Sequence, residues 1–122
     1  MRTVLVVDDS RIMRSIVKNT FGAMRIPCQY LEAADGQQAF QLLENNQVSL
    51  VLLDWNMPKM DGIAFLRKIR SMPKYKNIPV IMITSESAKY NVIEALDSGA
   101  SDYIVKPIRD KVFRDKLTKI LG

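Results

Sequence analysis

The chain has 122 residues, of which 48% are hydrophobic and 25% charged, and this length and composition predict one domain over 1–122. Without histidine there is no imidazole base, and with a single cysteine there is neither an internal disulfide nor a Cys/His zinc site. No apolar run is long enough for a membrane span, and the lack of a signal-peptide pattern favours the cytoplasm. The basic residues behind the net charge of +5 are scattered among 13 acidic ones, so solvated helix faces or an acidic protein partner explain them better than nucleic acid.

Five apolar segments predict β-strands, and residues with helical spacing follow each of them. The predicted strands are 3–7, 28–33, 49–53, 79–84 and 102–105. Asp9 or Ser10 would cap the first helix, Asp61 would cap the third, and Gly99 would end the fourth. The apolar faces of the helices are predicted at Met13, Val17, Thr20, Phe21 and Met24, then at Ala39, Leu42 and Leu43, at Ile63, Leu66 and Ile69, at Ala88, Val92, Ala95 and Leu96, and at Phe113, Leu117 and Ile120.

Strict alternation of strands and helices predicts an α/β fold, in which a parallel sheet is covered by helices on both faces. The strands are almost continuously apolar, as expected for burial on both sides. Right-handed crossovers then favour a doubly wound, five-stranded sheet of the flavodoxin-like order 2-1-3-4-5. In such a fold all strands end at the same edge, and ligands bind outside that edge.

Polar residues follow the strand ends. Asp8 and Asp9 come after the first strand, Asp54 after the third, Thr84 closes the fourth, and Lys106 follows the fifth. Three carboxylates in one place repel one another, and a hard cation such as Mg²⁺, which favours oxygen ligands, would relieve that repulsion. The sequence therefore predicts a magnesium site at this edge.

The hydroxyl of Thr84 and the ammonium of Lys106 are not needed to bind a cation. Both are explained if a phosphoryl group lies beside the metal, with Asp54 as the nucleophile that forms an aspartyl phosphate. Each residue taken singly has an ordinary explanation as a helix cap, a turn residue or a loop cation. Their common position at one sheet edge favours the functional interpretation.

Four motifs resemble those of a known family, the receiver domains of two-component response regulators. They are VVDDS at 6–10, LLDWNMPKMDG at 52–62, ITS at 83–85 and YIVKPI at 103–108. Their order and combination are specific, and the resemblance covers the whole chain. Within the family the chain is most similar to single-domain chemotaxis regulators of the CheY type.

The resemblance implies that Asp54 accepts a phosphoryl group from a histidine kinase. It implies that Asp9 and Asp54 ligate Mg²⁺ directly, with Asp8 acting through water and the backbone carbonyl of Asn56 as a further ligand. Glu86, together with Asn56, would tune autodephosphorylation. A short phosphoryl lifetime is therefore expected.

The resemblance also implies that Thr84 and Lys106 contact the phosphoryl oxygens, with a cis bond between Lys106 and Pro107. Tyr103 would be the switch aromatic, turning inward when Thr84 moves toward the phosphoryl group. The activated state would be presented by the fourth helix, fifth strand and fifth helix, roughly 87–121. The residues expected on that partner surface are Lys89, Tyr90, Ile93, Tyr103 and Lys116.

The expected partners are a histidine kinase, a downstream target such as the flagellar motor switch, and a phosphatase. Regulators of this type are often acidic, whereas this chain is basic, and this difference counts against the motor-switch target. The chain is expected to be a monomer that catalyses only its own phosphorylation and dephosphorylation, without an output domain, binding neither nucleic acid nor membrane.

Other interpretations stay open. The chain could be an excised receiver domain of a larger regulator, or a phosphorelay component. A haloacid-dehalogenase-like phosphatase also forms an aspartyl phosphate, but it would need an acid where Asn56 stands. A flavin binder would need a hydroxyl- and glycine-rich loop after the first strand, and DDSRIMR at 8–14 is acidic at its start instead.

Overall fold

The computed structural model describes all residues from 1 to 122 and contains five strands and five helices in strict alternation. The strands are β1 Arg2–Val7, β2 Cys28–Ala33, β3 Leu50–Leu53, β4 Val80–Thr84 and β5 Asp102–Val105. The helices are α1 Arg11–Gly22, α2 Gly36–Asn45, α3 Gly62–Arg70, α4 Lys89–Asp97 and α5 Asp110–Leu121. All neighbouring strands are parallel and their order is β2-β1-β3-β4-β5, which confirms the predicted doubly wound sheet.

The sheet separates two hydrophobic cores. Alternate residues of β1 face opposite sides, so that Leu5 packs with the residues of α2, α3 and α4, whereas Val4 packs with those of α1 and α5. Phe65 is fully buried in the first core, and Phe21 and Phe113 meet edge to face in the second, with ring centroids 6.4 Å apart. Burial on both faces explains why the strands read as continuous apolar runs.

Short polar side chains start three of the helices at the sheet edge where the strands end. Ser10 accepts a hydrogen bond from the backbone of α1, Asp35 does so for α2, and Asp61 does so for α3. Ser10 rather than Asp9 is therefore the cap of α1, which leaves the Asp9 carboxylate uncommitted.

Helix α4 has fewer buried residues than the other helices. Its cap is Ala88, which offers no side-chain hydrogen bond, and Ala95 is its one buried residue. The prediction that Leu96 belongs to the buried face is wrong, since 45% of this residue is exposed. Gly99 ends the helical region with a φ of 110°, a conformation that favours glycine. None of the five helices has the length and apolar character that a membrane crossing would require.

Candidate functional site

Asp54 is held rigidly at the end of β3. Its backbone N–H donates to Val7 O at 2.8 Å, which extends the pairing with β1 past the strand end, and only 7% of the residue is exposed. The start of α3 packs directly on its backbone, because a Cβ added to Gly62 would come within 2.1 Å of Asp54 O. The carboxylate is thus placed by two elements and has little freedom to move.

Lys106 is the cation that pairs with this buried carboxylate. Its Nζ lies 2.9 Å from Asp8 Oδ2 and 3.3 Å from Asp54 Oδ1. The lysine follows β5, where its backbone N–H donates to Thr84 O at 2.9 Å, and its bond to Pro107 is cis, as the resemblance implied. One ammonium therefore bridges carboxylates from β1 and β3, two neighbouring strands.

Burial and the neighbouring charge of Asp8 raise the pKa of Asp54, and Lys106 opposes this shift without cancelling it. Burial by itself would lower the pKa of Lys106, but the hydrogen bond to Asp8 and the charge of Asp54 raise it above its ordinary value. The lysine is therefore charged at neutral pH, and the two carboxylates share one compensating charge.

A third carboxylate completes the cluster. Oxygen atoms of Asp8, Asp9 and Asp54 lie within 4.8 Å of one another, and Asp9 is exposed to solvent. The donor set consists of oxygen only, and its three negative charges exceed the single charge of Lys106. Such a set fits a hard divalent cation that keeps several waters, and it is compatible with Mg²⁺. Asp9 and Asp54 offer the ligands with the fewest competing contacts.

Thr84 is the last residue of β4 and Tyr103 lies in β5, and both are buried. The Thr84 hydroxyl accepts a hydrogen bond from the backbone N–H of Glu86 at 3.3 Å, and the Tyr103 hydroxyl donates to the backbone carbonyl of Glu86. Burial and the charges of Glu86 and Asp54 raise the pKa of Tyr103 to about 12. The tyrosine is thus neutral at physiological pH. Its ring points inward, into the core, because only 4% of the residue is exposed.

The carboxylate of Glu86 joins two further elements. Its Oε1 accepts from Asn56 Nδ2 at 3.0 Å, and its Oε2 accepts from Asn91 Nδ2 at 3.1 Å. Asn56 belongs to the loop after β3, whereas Asn91 is in the first turn of α4. We call Asn56, Glu86 and Asn91 the amide bridge. Asn91 was not among the predicted site residues, although an amide five residues after Glu86, at a predicted helix start, was a usable signal.

The residues predicted on the partner surface differ in exposure, and Lys89 is exposed at the start of α4. Tyr90 and Ile93 are exposed on α4, at 73% and 47%. Lys116 is half-buried, and its Nζ bonds to Asp102 Oδ1 at 3.0 Å and to the carbonyl of Tyr103. Tyr103 does not lie on the surface, because 4% of it is exposed and its ring belongs to the core of α2, α3 and α4.

The chain belongs to the response regulator receiver domain family, which it matches over residues 4–118. Two curated relatives are chemotaxis proteins. The chain is 46% identical to chemotaxis protein CheY1 of Helicobacter pylori strain 26695, over 98% of this chain and 96% of the relative. It is 44% identical to a chemotaxis protein CheY homolog of Campylobacter jejuni strain 81-176, over 98% of this chain and 92% of the relative.

Solved structures agree with this assignment. Chemotaxis protein CheY4 of Vibrio cholerae superposes with a TM-score of 0.87 at 30% identity, covering 98% of each chain. The Mn²⁺-bound form of response regulator Rcp1 superposes with a TM-score of 0.82 at 28% identity, covering 98% of this chain and 91% of that one. The chain is thus a receiver domain of the chemotaxis type, a signalling protein rather than a conventional enzyme, whose family takes phosphate from histidine kinases and acts on downstream targets.

Proposed function

We propose that residues 1–122 form a single receiver domain that accepts a phosphoryl group on Asp54 from a histidine kinase and then binds a target through α4, β5 and α5. The observation that carries this proposal is the bridging of Asp54 and Asp8 by Lys106 at an edge that also holds Asp9. A buried carboxylate with a raised pKa is costly for the fold. Its place at the carboxyl edge of a parallel sheet favours a functional role.

In the proposed reaction a carboxylate oxygen of Asp54 attacks the phosphorus, and the bond from phosphorus to the donor nitrogen of the kinase breaks. Asp9, Asp54 and the carbonyl of Asn56 would hold Mg²⁺, with Asp8 acting through water, and the ion would supply charge neutralisation for the transferring group. The chain's own part is to fix the nucleophile, which Val7 and Gly62 do through its backbone.

Lys106 has two parts in the proposal. Before transfer it keeps Asp54 ionised against the effect of burial, because its ammonium lies 3.3 Å from Asp54 Oδ1. After transfer the same ammonium contacts a phosphoryl oxygen, and the hydroxyl of Thr84 contacts another. The charge on Asp54 then changes to about −1.5 to −2, which the fixed positive charge stabilises.

The proposed switch is supported by the bonds that Thr84 and Tyr103 make to the backbone of Glu86. When the Thr84 hydroxyl turns to the phosphoryl group, it gives up its contact with the Glu86 backbone, and Tyr103 keeps the loop in place from the other side. Tyr103 is inward already, so phosphorylation has to stabilise this position further rather than create it. A phosphoryl group can shift the equilibrium only by its differential stabilisation of the active state.

Asn56 and Glu86 also bear on the lifetime of the phosphoryl group. Their side chains are joined at 3.0 Å beside the proposed site, and Asn56 is exposed while Glu86 is half-buried, so water has access from this side. We propose that they tune autodephosphorylation and that the lifetime is short. An aspartyl phosphate that persists for hours in the purified protein would contradict this part of the proposal.

The proposed partners follow the chemotaxis proteins among the relatives. They are a histidine kinase, a target such as the flagellar motor switch, and a phosphatase, with the chain acting as a monomer. Lys89, Tyr90, Ile93 and Lys116 would contact the target, and Tyr103 would act from beneath the surface. The basic charge of the chain favours acidic segments in these partners.

Trp55, the single tryptophan, lies next to Asp54 and serves as the probe. Its fluorescence is followed on addition of acetyl phosphate with and without Mg²⁺, in the wild type and in Asp54→Asn. We expect a change that requires both Mg²⁺ and Asp54 and that decays once the donor is removed. No phosphorylation-dependent change in the wild type, together with an unaltered mass after incubation with the donor, would refute the proposed phosphoacceptor.

A further inference from the structure

Arg14 of α1 reaches across to the turn that carries the carboxylates. Its Nη1 donates to the backbone carbonyl of Asp8 at 2.7 Å, and its Nε donates to Glu32 Oε1 at 2.9 Å. Only 16% of the side chain is exposed. Lys18, one turn further along α1, contacts the other oxygen of the same carboxylate, Glu32 Oε2, at 2.8 Å and makes no contact with Asp8.

Every polar group of Asp8 has a hydrogen-bond partner. Its N–H donates to Ala33 O at 3.0 Å, its Oδ1 accepts from Ser10 N at 2.9 Å, and its Oδ2 accepts from Lys106 at 2.9 Å. The carbonyl of Asp8 is the one group of this residue that a side chain of α1 holds. That carbonyl belongs to the peptide plane whose nitrogen is the backbone nitrogen of Asp9.

Asp9 is held very differently. It is exposed, and its carboxylate has no hydrogen-bond or ion-pair partner within the chain. The backbone of the turn therefore sets the direction of its Cα–Cβ bond, and the Arg14 contact restrains the peptide plane just before it.

We propose that Arg14 is a positioning residue for the cation site: by holding the Asp8 carbonyl it aims the Asp9 carboxylate at the position of the metal. Glu32 in turn holds the guanidinium in a fixed orientation through the 2.9 Å contact with Nε. The hydrogen bond from Lys18 and the contact with Arg14 lower the pKa of Glu32, so this carboxylate is ionised at neutral pH. The inference rests on the proposed function, since it assumes that the carboxylate cluster binds Mg²⁺.

The direction in which the Mg²⁺ affinity changes when Arg14 is replaced distinguishes positioning from simple electrostatics. Arg14 carries a positive charge, and removing a positive charge close to a cation site should tighten cation binding. Loss of the positioning contact should instead weaken it. The substitution Arg14→Met therefore has opposite expected effects under the two explanations. Lys18→Met is the matched control, because it removes the same charge and a contact to the same Glu32 but leaves Asp8 untouched.

The experiment is an Mg²⁺ titration at pH 7.5 in the absence of phosphodonor, followed by Trp55 fluorescence and repeated by calorimetry. Outer residues that orient metal ligands typically change metal affinity by about 10–100-fold, and we expect about 10-fold weaker binding for Arg14→Met. Lys18→Met should bind as tightly as the wild type or slightly more tightly. Arg14→Lys, which keeps the charge but cannot reach both partners with a planar fork, should recover part of the loss.

Glu32→Gln tests whether the charge of Glu32 matters, because it removes that charge while the amide oxygen can still accept the hydrogen bond from Arg14 Nε and keep the guanidinium directed at Asp8. We expect its Mg²⁺ affinity to stay close to that of the wild type. Equal affinities for Arg14→Met and Lys18→Met, or tighter binding by Arg14→Met, would overturn the proposal while leaving the metal site intact. A wild type that gives no Mg²⁺ signal by either method would overturn the metal site itself, and the role of Arg14 with it.

Discussion

Replacing Lys106 by methionine tests the electrostatics of the site most directly, because it removes the only positive charge among three carboxylates. Lys106 Nζ is 2.9 Å from Asp8 and 3.3 Å from Asp54. At an effective dielectric constant of about 20 the two contacts together are worth roughly 10 kcal/mol, an upper value that solvent screening of the partly exposed lysine reduces. Burying the ammonium costs several kcal/mol, which the substitution recovers. With 19% of the lysine side chain exposed, we expect a net loss of about 3 kcal/mol, near the low end for breaking a buried pair.

Thermal unfolding followed by circular dichroism in EDTA at pH 7.5 measures this loss. For a domain of this size about 3 kcal/mol corresponds to a fall of roughly 12 °C in Tm. The control is Lys111→Met, which breaks the exposed pair with Asp115, also at 2.9 Å, and should change the free energy of unfolding by less than about 0.5 kcal/mol.

The same experiment at lower pH tests the direction of the pKa shift of Asp54. The pKa of Asp54 is raised, so the stability that its protonation contributes is present at low pH and is lost as the pH rises through the folded-state pKa. Without Lys106 that pKa should rise further. The deficit of Lys106→Met should therefore shrink as the pH is lowered from 7.5 to about 5. Equal losses for the Lys106 and Lys111 variants, or a deficit that does not depend on pH, would refute this account.

Three further outcomes follow from packing and charge. Gly62→Ala places a methyl group 2.1 Å from Asp54 O and should cost about 3 kcal/mol or more by denaturant unfolding, whereas Gly22→Ala, whose nearest contact is 3.8 Å away, should be nearly neutral. Asp54→Asn removes a buried charge with a raised pKa and should raise Tm in EDTA at pH 7.5 by a few degrees; a lower Tm would contradict the direction of that shift. Arg70→Met removes the guanidinium that donates to three backbone carbonyls, of which Tyr75 O keeps a second donor in the N–H of Ile78, and should cost about 2–3 kcal/mol, while Arg67→Met, which loses an exposed pair, should cost less than about 0.5 kcal/mol.

The sequence was sufficient for the sheet, because its strands are short apolar runs that end in polar residues. The predicted second strand, 28–33, coincides with β2, and Asp61 caps α3 as predicted. These features are local, so composition and spacing reveal them. The carboxylate cluster was also predictable, since the fold brings all strand ends to one edge.

Features that depend on contacts between distant residues were not predictable in the same way. The buried position of Tyr103 and the fork of Arg70 over the loop before β4 depend on packing across the fold. Leu96 looked like a core residue because its spacing fits, but α4 buries little else, and spacing alone does not show how closely a helix approaches the sheet. In sequence Arg14 does not differ from the other basic residues of α1, and only the fold brings it to the carbonyl of Asp8.

The amide bridge has a consequence for the direction in which information travels. Glu86 shares its two carboxylate oxygens between the loop after Asp54 and the first turn of α4, a helix with no side-chain cap. Linkage between two binding sites is reciprocal in free energy. If cation or phosphoryl binding changes the affinity of α4 for a target, the target must change the affinity of the site by the same factor. A target bound to α4 would then change the affinity of the carboxylate cluster for its cation or phosphoryl group. The target-binding surface would therefore act as an input as well as an output.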